Sequence, residues 1–139
     1  MKKQIVLLPL LLIVFACAKK ERKMELYNTM AFAFTLESGY ELNVSSQVKG
    51  YQLFEEKSKY YSKLTFTIDI KKPDGSVVTK IQSGKIEQLA KEEDAFTQLN
   101  TQIKFDDKYK PGSYSLVINM KDELSGKMVK IEKPFELSK

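Results

Sequence analysis

Histidine and tryptophan are absent from the 139 residues, and cysteine occurs once. Without histidine, neither a His/Cys zinc site nor a Ser-His-Asp or Cys-His catalytic pair can be assembled. A lone cysteine excludes an intramolecular disulfide. Glycine (6) and proline (4) are too sparse for a collagen-like or low-complexity chain. What is present is ordinary for one folded domain: 42% hydrophobic and 29% charged residues.

Charge is unevenly placed. The formal net charge is +5, but of the 23 cationic residues six precede Met24, as does one of the 18 acidic residues, Glu21. Residues 24–139 therefore hold 17 of each sign and are neutral. A nucleic-acid partner needs a basic face on the folded body, so none is expected.

The first segment reads as an address. Lys2 and Lys3 precede an apolar run, Ile5 to Ala16, broken only by Pro9. The uncharged stretch between Lys3 and Lys19 is 15 residues, short of the ~20 apolar residues of a spanning helix. A charged start, a short apolar core and a small residue before a cut describe a secretory signal peptide.

The run ends Val14-Phe15-Ala16-Cys17, which resembles the lipobox of bacterial lipoproteins. Phe15 stands where that family prefers a small or hydroxyl residue, and Val14 where Leu is commoner. The resemblance implies removal of residues 1–16 and attachment of a diacylglyceryl group, and often a further acyl chain such as palmitate, to Cys17. Two or three acyl chains hold a protein stably at a bilayer. Residues 17–23 then form a lipidated, basic tether, which either touches anionic headgroups or serves as a solvated spacer. The protein would sit in the bacterial cell envelope, anchored outside the cytoplasm, at the outer membrane where the cell has one.

In residues 24–139 hydrophobicity alternates with period two, the mark of half-buried strands. Met24, Leu26, Met30, Phe32, Phe34 and Leu36 fall on even positions, interrupted at Asn28. They are expected on one inward face, and most methionines with them. Leu64 to Ile70, Leu99 to Phe105, Tyr114 to Met120 and Val129 to Leu137 repeat the rhythm. Turn signals separate the runs: Ser38-Gly39, Lys72-Pro73-Asp74-Gly75, Lys110-Pro111-Gly112 and Ser125-Gly126. Pro134 lies inside the last run and predicts an edge strand or a bulge there. Ile86, Leu89 and Ala90 lie at i, i+3 and i+4, predicting a helical turn or two within Lys85 to Glu93.

Pro111-Gly112-Ser113-Tyr114-Ser115-Leu116 resembles the tyrosine corner of immunoglobulin-like domains. That likeness implies that Gly112 and Tyr114 form a structural corner, the Tyr hydroxyl bonding backbone a few residues upstream. The hairpins around Asp74-Gly75 and Ser125-Gly126 are similar to those of Ig-like envelope proteins. An all-β, antiparallel Ig-like sandwich of about seven to eight strands is the fold implied. The Cys pair and core Trp of antibody domains are absent, and Leu116 stands where the second Cys would be.

Catalytic constellations are weak. Ser46-Gln47-Val48-Lys49 has a serine–lysine spacing without the elements that accompany it in enzymes. Glu55-Glu56, Glu92-Glu93-Asp94 and Asp106-Asp107 are neighbours on the chain, not carboxylates facing across a cleft. No enzyme, cofactor or metal is implied. Tyr60 and Tyr61, in a polar stretch, are candidates for a contact surface, or for a ring that caps the domain. The expected function is a non-catalytic, membrane-anchored domain that binds another envelope protein or a glycan, or builds an envelope scaffold. A small β-barrel carrying an apolar ligand is the alternative.

Overall fold

The computed structural model describes residues 23–90 and 96–139. The leader, Cys17 and Glu92-Glu93-Asp94 lie outside the described residues. The fold is all-β. In chain order the strands are β1 (Glu25–Thr35), β2 (Tyr40–Lys49), β3 (Phe54–Glu56), β4 (Lys59–Tyr61), β5 (Leu64–Lys71), β6 (Val77–Ile86), β7 (Leu89–Ala90), β8 (Thr97–Phe105), β9 (Gly112–Asp122) and β10 (Met128–Leu137).

They form three sheets, ordered β1-β2-β8, β10-β9-β5-β6 and β3-β4-β7, with every pairing antiparallel. The first two sheets face each other across one core. Leu42, Val44 and Val48 meet Ile68, Ile70, Leu116, Ile118 and Met120 there, each nearly or wholly removed from water. Burying one such side chain is worth about 1.5–3 kcal/mol. The strict alternation along β2 and β5 is the sequence rhythm made physical. The sheets are separate among the described residues, not one ring closed by hydrogen bonds.

Turns fall where the residues require them. Lys72 accepts from the Gly75 amide, and Asp74 Oδ1 accepts from both the amide and hydroxyl of Ser76, closing the β5–β6 hairpin. Gly39, at φ +79°, sits so close to the Phe105 carbonyl that a Cβ would lie 2.0 Å from its oxygen. β10 is a sheet edge, which accommodates Pro134 opposite Ser115.

Two expectations are corrected. Lys85 and Ile86 end strand β6, and Leu89–Ala90 pair with Tyr61–Tyr60. In the described part of that segment, ladder pairing therefore replaces the helical turns. A helical spacing over so few residues has no nucleus to sustain it, whereas neighbouring strands offer ready partners. The second correction is β1. Met24 and Leu26 point into the core, but Met30, Phe32, Phe34 and Leu36 are 51%, 61%, 56% and 41% exposed.

The cause is a bulge. The β1–β2 register shifts between Tyr27 and Met30, and Asn28 takes φ +48°. One extra residue reverses the facing of everything after it. Thr29 turns inward, where its hydroxyl meets that of Ser46 at 2.8 Å, and the small Ala31 and Ala33 pack against the core. The methionines divide accordingly: Met24 and Met120 are buried, while Met30 and Met128 are exposed.

Candidate functional site

The bulge leaves a row of large apolar side chains on the outer face of the first sheet. Cross-strand register fixes their neighbours. Phe34 lies beside Glu41 and then Lys104; Phe32 beside Asn43 and Gln102; Met30 beside Ser45 and Asn100. Gln47 and Gln98 continue the face past the bulge. Met30 and Phe32 form one wall of an open groove of about 440 Å3, floored and walled by Asn43, Ser45, Asn100 and Gln102. No ionisable side chain lines it.

The polar residues of this face are mostly uncharged amides. Asn28 donates to Gln47 at 2.7 Å, and Gln98 donates to Asn100 at 3.2 Å. The outer face of the second sheet is different in kind. There the Asn119 side-chain amide donates to Thr67 Oγ1 and Asp69 Oδ2, and Lys71 pairs with Glu132 at 3.0 Å.

Tyr60 and Tyr61 sit on β4 in the small third sheet, both half-buried. Adjacent strand residues face opposite ways, so the two rings do not make one surface. Tyr61 stacks on Phe54 with centroids 5.1 Å apart, and the Lys63 ammonium lies over the Phe54 ring. Gly112 opens β9 at φ +154°, against the Pro73 ring. Tyr114 is buried, and its hydroxyl donates to the Lys110 carbonyl at 2.7 Å. Its ring packs with Tyr109 and Phe135. Burial raises the Tyr114 and Tyr109 phenols above their ordinary pKa.

Two carboxylates hold turns and loops in place. Asp107 accepts from the Ser38 hydroxyl at 2.5 Å and the Gly39 amide at 2.6 Å, and these bonds hold it below the usual carboxylate range. Asp122 is wholly buried and accepts from the Gln52 and Leu124 amides and the Ser125 hydroxyl. It ties the β9–β10 turn to the segment after β2. Ser46 faces the core, whereas Lys49 is exposed and pairs with Glu25 at 3.6 Å, so the serine–lysine spacing brings no reactive pair together. Among the described residues no cluster of three His, Cys, Asp or Glu is arranged to hold a metal.

The β1 row is the feature that reading the residues in order misses. Its signal is present nonetheless: Asn28 interrupts the even positions, and alanines occupy the odd positions that follow.

No protein-family model and no curated protein matches the chain. Similar solved structures include a family 123 glycoside hydrolase from Clostridium perfringens, at 14% identity and TM-score 0.49. The likeness covers 72% of this chain and 21% of that one. A putative ApaA protein from Bordetella pertussis is similar at 10% identity and TM-score 0.46, over 86% of this chain and 95% of that one.

Proposed function

We propose that this chain is a lipid-anchored bacterial lipoprotein, displayed outside the cytoplasm, whose β-body is a non-catalytic binding or envelope-scaffold domain. The observation that carries the binding role is the outward row of Met30, Phe32, Phe34 and Leu36. Contiguous exposed apolar side chains on a well-packed body mark a contact surface. Here the backbone itself is bulged to put them there, while alanines take the inward positions.

Support for the anchor is the run Val14-Phe15-Ala16-Cys17 and the basic residues after it. Support for an Ig-like sandwich is strand adjacency. β1-β2-β8 corresponds to strands A-B-E of that fold, and β10-β9-β5 to G-F-C, with β6 added at the edge. The Tyr114–Lys110 bond at the start of β9 has the form of its tyrosine corner. The third sheet is extra to that plan. Side chains fill the space between the two large sheets, so nothing comparable favours a barrel around an apolar ligand.

The test is the mature N-terminus. Cells expressing the full chain are fractionated, and the N-terminal peptide is weighed. A chain beginning at a diacylglyceryl-modified Cys17 in the membrane fraction is expected, and Cys17→Ser should abolish both cleavage and modification. A bare thiol at Cys17 in the mature protein overturns the anchor.

A further inference from the structure

We infer that the outer face of the β1-β2-β8 sheet binds a neutral glycan, with sugar rings laid on Phe32 and Phe34 and hydroxyls bonded by Asn43, Asn100 and Gln102. The inference rests on the binding role proposed above and names the chemistry of its ligand.

Three observations converge on a sugar. The first is polarity. The groove holds thioether, phenyl, amide and hydroxyl groups and no charge. At the near end of the face Glu41 and Lys104 lie opposite each other, so that row offers no uncompensated charge either. An anionic bilayer or a nucleic acid needs clustered cations, which this lining lacks.

The second is the pattern of apolar and polar groups. The apolar strip is one strand wide, and beside it run two strands of hydrogen-bonding side chains. A protein partner of standard size prefers an apolar patch that broadens toward its centre. A pyranose is amphipathic at this scale, with one C–H face and a rim of hydroxyls. Phe32 and Phe34 are spaced ~6.8 Å along the strand, and the amide strands stand ~4.8 Å and ~9.6 Å to the side. Those are the dimensions of one or two sugar rings.

The third is available bonding capacity. Among the described residues no hydrogen bond engages the side-chain amide of Asn43 or Gln102, which lie opposite each other across the β2–β8 pair. Each primary amide donates and accepts in one plane, which suits neighbouring hydroxyls on a sugar.

The full chain, purified in detergent, is run through native gels containing xylan, laminarin or mannan, and mixed with insoluble cellulose and chitin. At least one of these five is expected to retard or retain it. Phe32→Ala should weaken that interaction roughly tenfold, and Gln102→Ala severalfold, with melting unchanged because both side chains are exposed. Lys130→Ala, on the outer face of the other sheet, should bind as the parent does. In a 15N spectrum the NH2 signals of Asn43 and Gln102 should move on titration with the matching oligosaccharide.

The inference is overturned if none of the five polymers is bound, or if Phe32→Ala and Gln102→Ala bind undiminished. It is also overturned if only charged polymers such as heparin, or only another protein, occupies the face. The assay does not depend on lipidation. A bare Cys17 would therefore remove the anchor without touching this result, and failure to bind glycan would leave the anchor standing.

Discussion

At the scale of single residues, the most consequential polar group is the one with no exposure. Asp122 is sealed from water, and its two carboxylate oxygens accept from three separate donors. Asp122→Ala removes the shared acceptor of those three part-buried donors and with it the tie between the β9–β10 turn and the segment after β2. A loss of about 3 kcal/mol is expected, read as a lower urea midpoint with little change in slope. Tyr114→Phe removes only the hydroxyl that reaches Lys110 and keeps the ring. Its cost should be about 1 kcal/mol. Asp107 is different, because it is solvated and its effect appears through pH. The Ser38 and Gly39 bonds depress its pKa in the folded state. Its contribution is therefore present above the unfolded carboxylate pKa and is lost as pH falls through the lower folded value. In melting curves taken from neutral to strongly acid pH, the gap between parent and Ser38→Ala should close at the acid end. A gap that stays constant across that range would rule out Asp107 as the titrating partner.

Among elements, β1 carries the lesson about what a sequence discloses. The period-two rhythm of β5, β8 and β9 was legible, because their even or odd positions share the core face, with Val117 of β9 buried as well, and the β2–β8, β5–β9 and β9–β10 ladders run without a register shift. The same rhythm misled at β1. Alternation reports which residues share a face, but a bulge changes which face that is, and parity read along the chain passes straight over the extra residue. Asn28 was the available clue, since asparagine tolerates the left-handed conformation it adopts at φ +48°. Asn28→Gly should accordingly be mild, whereas Asn28→Val should cost about 1–2 kcal/mol more than the glycine change. Equal melting of the two variants would mean that the bulge does not depend on that backbone conformation. The adjacent tyrosines illustrate a related point. Tyr60 and Tyr61 are neighbours in sequence, but a strand sends them to opposite sides. The face that gathers apolar rings was assembled from a bulge, marked in the sequence only by Asn28 and the alanines after it, and from cross-strand register, which is not written locally in one segment.

For the molecule as a whole, cohesion is concentrated where the two large sheets meet. β9 lies between β10 and β5, and Leu116, Ile118 and Met120 are fully buried from it. The third sheet is built otherwise. β3, β4 and β7 have 3, 3 and 2 residues, and Tyr60 and Tyr61 are only half-buried. Its attachment includes the exchange between Ser62 and Gln88, whose amides each donate to the other residue at 3.2 Å. Local opening is easiest where few apolar contacts are lost. Native-state hydrogen exchange should therefore resolve two levels. Amides of Leu116 and Ile118 should exchange only through global unfolding, with rates that follow the full stability of the domain in denaturant. Those of Tyr60 and Tyr61 should exchange faster, through an opening nearly insensitive to denaturant, because it exposes little surface. Asp122→Ala supplies the internal control. It should speed exchange at Leu116 and Ile118 by the whole loss of stability, while Tyr60 and Tyr61 change much less. If all four amides accelerate together, the third sheet is part of the same cooperative unit, and the β-body opens as one piece.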